Sequence, residues 1–144
     1  MASHVLIPVD DSDRSTAALE FALEEHSSAK LTALHVIDPG DVYTATGLET
    51  GTLSNYERVR NEHETQAENL LETARRRAED AGVELETEYV IGDVSETIVD
   101  FAEDRDVNHV VLGSHGRTGA SRILLGSVAE TVARRSPVPV TIVR

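Results

Sequence analysis

The chain contains no cysteine, no tryptophan, a single methionine, and a single lysine, Lys30, against 12 arginines. Without cysteine there can be no disulfide, no cysteine-ligated zinc and no thiol nucleophile. Aromatic residues make up 3% of the sequence, so any core must be aliphatic. Long apolar runs are missing too, and nothing approaches the roughly 20 residues that cross a bilayer. The Met-Ala-Ser-His start leads directly into a short apolar run with no leader-like pattern. We therefore expect a cytoplasmic protein with no membrane partner. Basic charge is scarce: 26 acidic against 13 basic residues leave a net charge of -13. Such a surface repels a phosphate backbone, and no nucleic-acid partner is expected. An acid excess with lysine almost gone resembles proteins of halophilic archaea, whose acidic shell is solvated and screened by salt, and composition equally admits an ordinary acidic mesophile.

The 144 residues suffice for one domain with a real core. Apolar runs at 5–9 (Val-Leu-Ile-Pro-Val), 31–37 and 107–112 read as buried strands. Residues 84–91 alternate, with Leu85, Thr87, Tyr89 and Ile91 on one face, which suits an edge strand. A last strand is expected over 138–143, and Pro139 within it argues for the opposite edge. Helical spacing marks 14–28 (Ala17, Ala18, Phe21, Ala22) and 54–81 (Ala67, Leu70, Leu71, Ala74, Ala78, closed by Gly82). It also marks 94–104 (Ile98, Val99, Ala102) and 127–135, while 41–53 reads as a loop. Strands alternating with helices predict an α/β fold, a doubly wound five-stranded parallel sheet with helices on both faces. Ligands of such sheets sit beyond the C-terminal strand ends, here loops 8–14, 36–41, 92–95 and 113–127.

The last of these loops reads GSHGRTGASRILLGS, a G-x2-G-x9-G-[ST] spacing through Gly113, Gly116, Gly126 and Ser127. Gly113 follows a buried strand, where a missing Cβ admits close approach of a ligand. Gly126-Ser127 opens a helix whose free N–H groups and dipole favour an anion. The spacing equally admits a reading without ligand, because Ser127-x-x-Glu130 is a capping-box pattern. No lysine follows the last glycine, so this is not a Walker loop, and no water-activating base is evident. Asp10, at the end of the first strand, is better suited to a divalent cation or a ribose hydroxyl than to turn chemistry. His115 lies between two glycines of the loop, and Arg117 and Arg122 are cations able to neutralise phosphate. His35, in mid-strand, reads as a satisfied core histidine.

On these residues the chain resembles the universal stress proteins, and among them the ATP-binding branch marked by the same glycine spacing. The resemblance runs through VLIPVDDSDRS, LHVID, GSHGRTG and LLGSVAETVARRSPVPVTIVR. It implies a Rossmann-like sheet of order 3-2-1-4-5 that holds ATP, ADP or AMP. Pro8, Val9 and Asp10 would then border the adenosine and Val36 the adenine, with Leu112 and Gly113 against the ribose. His115, Gly116, Gly126, Ser127 and Val128 would carry the phosphates by backbone N–H groups and the Ser127 hydroxyl, bridged by Mg²⁺ or Mn²⁺. A homodimer through the edge strand 138–143 is also implied. Ala129 stands where some members have threonine, which removes one phosphate contact. The implied role is nucleotide-dependent regulation with at most slow hydrolysis. A nucleotide-free partner-binding dimer is the alternative. A phospho-accepting receiver domain would need a lysine after its fifth strand. An adenylating pyrophosphatase would need a glycine-rich loop after its first.

Overall fold

The computed structural model of the chain describes residues 3–41, 53–115 and 125–144. Among the described residues, five strands alternate with four helices of nine residues or more: β1 (His4–Pro8), α1 (Asp13–Glu25), β2 (Lys30–Ile37), α2 (Leu53–Asp80), β3 (Leu85–Ile91), α3 (Val94–Asp104), β4 (His109–Gly113), α4 (Ser127–Arg135) and β5 (Val140–Val143). All pairings are parallel and the order is β3-β2-β1-β4-β5, as expected. The chain begins at the centre, winds outward through β2 to β3, then returns past β1 to β4 and β5. The reversal places the switch point between β1 and β4, and open sheets of this kind hold ligands beyond the C-terminal strand ends there.

Period-two alternation sorts the strands' side chains onto two faces. Val5, Ile7, Leu31, Ala33, Leu85 and Val111 meet Ala18, Leu19, Ala22 and Leu23 of α1 and Leu71, Ala74 and Ala78 of α2. Leu6, Leu34, Val36, Val110 and Leu112 meet Ile98, Phe101 and Ala102 of α3 and Ala129 and Val132 of α4. Both layers are almost wholly aliphatic, each fully buried Val, Leu or Ile supplying roughly 1.5–3 kcal/mol of transfer free energy.

The inward stripes differ in detail from the sequence reading. On α1 the buried residues are Ser15, Ala18, Leu19, Ala22 and Leu23, with Ala17 and Phe21 only half-buried. On α3 Phe101 is buried and Val99 is not, because the helix turns its 98-101-102 face to the sheet. The end of α2 is as expected: Gly82 takes φ +73°. The Val83 and Gly82 N–H groups donate back to the Ala78 and Glu79 carbonyls, both at 2.9 Å, a Schellman-type stop that a residue with a Cβ would strain. The last strand begins at Val140, not 138. Pro139 therefore lies just before it, where its carbonyl accepts the Val110 N–H at 3.0 Å. β5 is an edge by topology, without help from proline. Most of the expected 41–53 loop falls outside the described residues.

Candidate functional site

Beyond the ends of β1, β2 and β4 lies a cavity of about 510 Å³, a size that suits a small organic ligand. Pro8, Val9, Asp10, Val36, Leu112, Gly113, His115, Gly126, Ser127 and Val128 all border it. Residues far apart in sequence thus converge because four connections emerge at one end of one sheet. Gly116, Arg117 and Arg122 lie outside the described residues. The wall also includes Ser15, Leu34, His35, Asp41, Val94, Ile98, Leu125 and Ala129, which sequence reasoning did not assign to the site. Leu34, Val36, Ile98, Leu112, Val128 and Ala129 make an apolar slot, and the carboxylates, histidines and helix start form its polar margin.

The β1 end is rigidly tied. The Val9 N–H donates to the Leu34 carbonyl at 2.8 Å, and the Val9 carbonyl accepts from His35 Nδ1 at 2.8 Å. A carbonyl cannot donate, so the proton sits on Nδ1. The Asp10 N–H donates to Ser15 Oγ and Asp10 Oδ1 accepts the Ser12 N–H, both at 2.8 Å. Asp10 thus performs turn chemistry after all, contrary to the expectation from its position, with Oδ2 left for a ligand. Ser12 is the cap of α1, its Oγ accepting the Ser15 N–H at 3.2 Å.

Val36 carries the most specific chemistry. Leu34 faces β1 with its backbone, since its carbonyl takes the Val9 N–H. Ile37 faces β3, its carbonyl taking the Gly92 N–H at 2.9 Å. Backbone edges of a parallel strand alternate residue by residue, so Val36 presents N–H and carbonyl on the β1 side. There β1 has already left the ladder, whose register ends at Pro8↔Leu34. A backbone donor and acceptor therefore stand side by side at the apolar slot.

At the other end, β4 runs into Ser114, whose N–H donates to the Val143 carbonyl at 2.8 Å. The Ser114 carbonyl accepts the Gly126 N–H at 2.7 Å, which pins the start of α4 against the end of β4. This overturns one expected role: the Gly126 N–H is committed to the fold and does not reach an anion. Donors remain at the first turn of α4, where Ser127 and Val128 border the cavity. The capping-box reading of Ser127 also fails. Gly126 is the N-cap, no side chain among the described residues caps the helix, and Ser127 is its first residue. His115 is 8% exposed, with Nδ1 3.0 Å from Ser114 Oγ. Its ring is packed inward as part of the wall.

Gly113 has a reason other than ligand approach. A Cβ there would lie 2.7 Å from the Arg14 carbonyl carbon and 2.8 Å from Arg14 Cβ and O. The missing side chain lets α1 start directly above β4. Gly126, at φ -64° and ψ 158°, has a conformation open to any residue. Among the described residues, no three His, Cys, Asp or Glu side chains gather to hold a metal. A cation at Asp10 would take its other ligands from phosphate and water, as Mg²⁺ commonly does.

Comparison with known proteins accounts for this architecture. The model of the universal stress protein family matches residues 1–144. The chain belongs to this family. It is 34% identical over 148 residues to the universal stress protein YxiE of Bacillus subtilis, with all of both chains covered. It is 32% identical over 155 residues to universal stress protein MJ0577 of Methanocaldococcus jannaschii, covering 100% of this chain and 96% of that one. The solved structure of MJ0577 superposes with a TM-score of 0.84 over 99% of this chain and 96% of its own. A universal stress protein solved in complex with cAMP superposes with a TM-score of 0.71 at 27% identity, covering 99% and 97%. This universal stress protein shares their five-stranded parallel fold. No helix among its described residues is long and apolar enough to cross a membrane.

Proposed function

We propose that this universal stress protein binds an adenine nucleotide, ATP foremost, and acts in the cytoplasm as a nucleotide-dependent regulator. The observation that carries the reading is the Val36 backbone edge beside an apolar slot. Adenine presents an amino donor next to a ring-nitrogen acceptor on a flat apolar body, which complements that edge. Asp10 Oδ2 stands ready for a ribose hydroxyl or a phosphate-bound Mg²⁺ or Mn²⁺. Ser127 and Val128 offer helix-start N–H groups, and the Ser127 hydroxyl, to phosphate. The cAMP complex of a relative supports an adenine nucleotide as the ligand class. The described wall contains two carboxylates, Asp10 and Asp41, and no lysine or arginine.

Isothermal titration with ATP, ADP and AMP in magnesium buffer tests the reading. Saturable binding is expected, and Gly126→Val, which fills the wall without backbone strain, should abolish it. Absence of heat with all three, together with no co-purifying nucleotide by mass spectrometry, would refute it.

We further propose that the protein is a homodimer joined through residues 138–143. β5 is an edge strand whose four residues are all only half-buried in the single chain. Val138, Val140 and Ile142 supply apolar surface there. Ile142→Lys should convert a dimeric sedimentation profile to a monomeric one. The acid excess we read as adaptation to a saline cytoplasm.

A further inference from the structure

We infer that His35 is a positioning residue that stops the β1–β2 ladder and so keeps the Val36 N–H available to a ligand. This rests on the adenine-nucleotide reading for its functional consequence, but its structural half stands alone. A parallel ladder continued by one step beyond Pro8↔Leu34 would pass the Val36 N–H to the Val9 carbonyl. That carbonyl is instead taken by the His35 ring, through Nδ1 at 2.8 Å. The substitution of a side-chain donor for a backbone donor has two effects. The Val9 carbonyl, on a buried residue, is satisfied by the ring, where an orphan acceptor would be costly. The Val36 edge is left facing the cavity rather than β1.

Neighbouring bonds support the same function. Val9 is held at both polar groups by β2, through the Leu34 carbonyl and the His35 ring. Asp10 is held by Ser15 and Ser12. The strand end is therefore fixed where it parts from β2, and the gap between Val9 and Val36 is kept open. A leucine at 35 would leave the Val9 carbonyl without a donor, and the nearest replacement is the Val36 N–H itself. The ladder would extend and the slot would close. An asparagine, whose amide nitrogen stands at the δ position like Nδ1, can preserve the bond.

Amide hydrogen exchange by NMR in the nucleotide-free protein, with ATP titration of the same samples, tests the proposal on wild type, His35→Asn and His35→Leu. In wild type the Val36 amide should exchange at least about tenfold faster than that of Leu34, which lies within the ladder. His35→Leu should slow Val36 exchange to the Leu34 level and weaken ATP binding about tenfold or more, whereas His35→Asn should stay within about threefold of wild type in both. A Val36 amide already protected in wild type, or unchanged exchange and affinity in His35→Leu, overturns the inference. Should His35→Leu not fold, loss of the wild-type exchange pattern in His35→Asn despite a native melting curve overturns it equally. Failure of wild type to bind any nucleotide removes the proposed function, while the exchange comparison still decides what His35 does.

Discussion

At the scale of single residues, two positions show how a side chain's role follows from what surrounds it. Gly113 sits in the family's glycine spacing, yet its Cβ would strike the Arg14 backbone. Backbone cannot swing aside as a flexible side chain can, so Gly113→Ala should cost about 1–3 kcal/mol through overpacking. Urea denaturation checks this, and a change below the error of the midpoint would show that α1 shifts freely. Loss of binding in a Gly113 variant therefore reports on the fold, whereas Gly126→Val reports on the site. His109 is the second case. Its ring is half-buried, its Nε2 lies 2.6 Å from Thr141 Oγ1, and its centroid is 5.2 Å from that of His26. Burial, then the proximity of His26, lowers its pKa below the ordinary 6.5. The unfolded chain then binds this proton more readily than the folded one. Its contribution to stability is whole above about pH 6.5 and is lost as the pH falls below it, until the folded ring protonates too. Thermal melts at about pH 7.5 and pH 5.5 should show a larger decline in wild type than in His109→Gln. Equal declines would count against the assignment.

At the scale of elements, α1 and α4 begin at the same end of the sheet but are started differently. Ser12 closes the first turn of α1 by accepting the Ser15 N–H. Gly126 precedes α4 and, among the described residues, no side chain closes its first turn, although Ser127 and Glu130 carry the capping spacing. The reason is the bond from the Gly126 N–H to the Ser114 carbonyl, which fixes the entry to α4 one residue early. Ser12→Ala should therefore cost about 1 kcal/mol of stability, as removal of a working cap does. Ser127→Ala should leave stability within a few tenths of a kcal/mol, because an exposed helix residue is exchanged for a good helix former. Its ATP affinity should fall nonetheless. The pair of melting curves and titrations separates cap from ligand contact, and a stability loss in Ser127→Ala as large as in Ser12→Ala would return Ser127 to a capping role.

For the molecule as a whole, layer composition and the end of the sheet that bears the cavity were legible in the sequence, whereas the sheet order followed from the family resemblance. Strand periodicity, the caps and the glycine spacing each carry a local physical cause. The parts that were not legible depend on tertiary contact. Sequence shows His35 in mid-strand but not that its ring reaches the Val9 carbonyl, and Gly113 after β4 but not that Arg14 lies above it. Pro139 looks like an edge marker until the strand is seen to start one residue later. Charge is the remaining property of the whole. Described ion pairs such as Arg58–Glu62, Arg77–Glu20 and Arg105–Glu88 lie at the surface and contribute about 0–1 kcal/mol each. With 26 acidic against 13 basic residues, acids outnumber bases two to one, so repulsion spread over the surface opposes compaction. Raising salt from about 0.1 to 1 M shortens the screening length from about 10 to 3 Å, which relieves this repulsion more than it weakens the few pairs. The melting temperature should therefore rise steadily with KCl, chosen because sulfate would also strengthen apolar burial. A flat or falling curve would mean that the pairs outweigh the excess charge, and would remove the physical basis for reading the surface as built for salt.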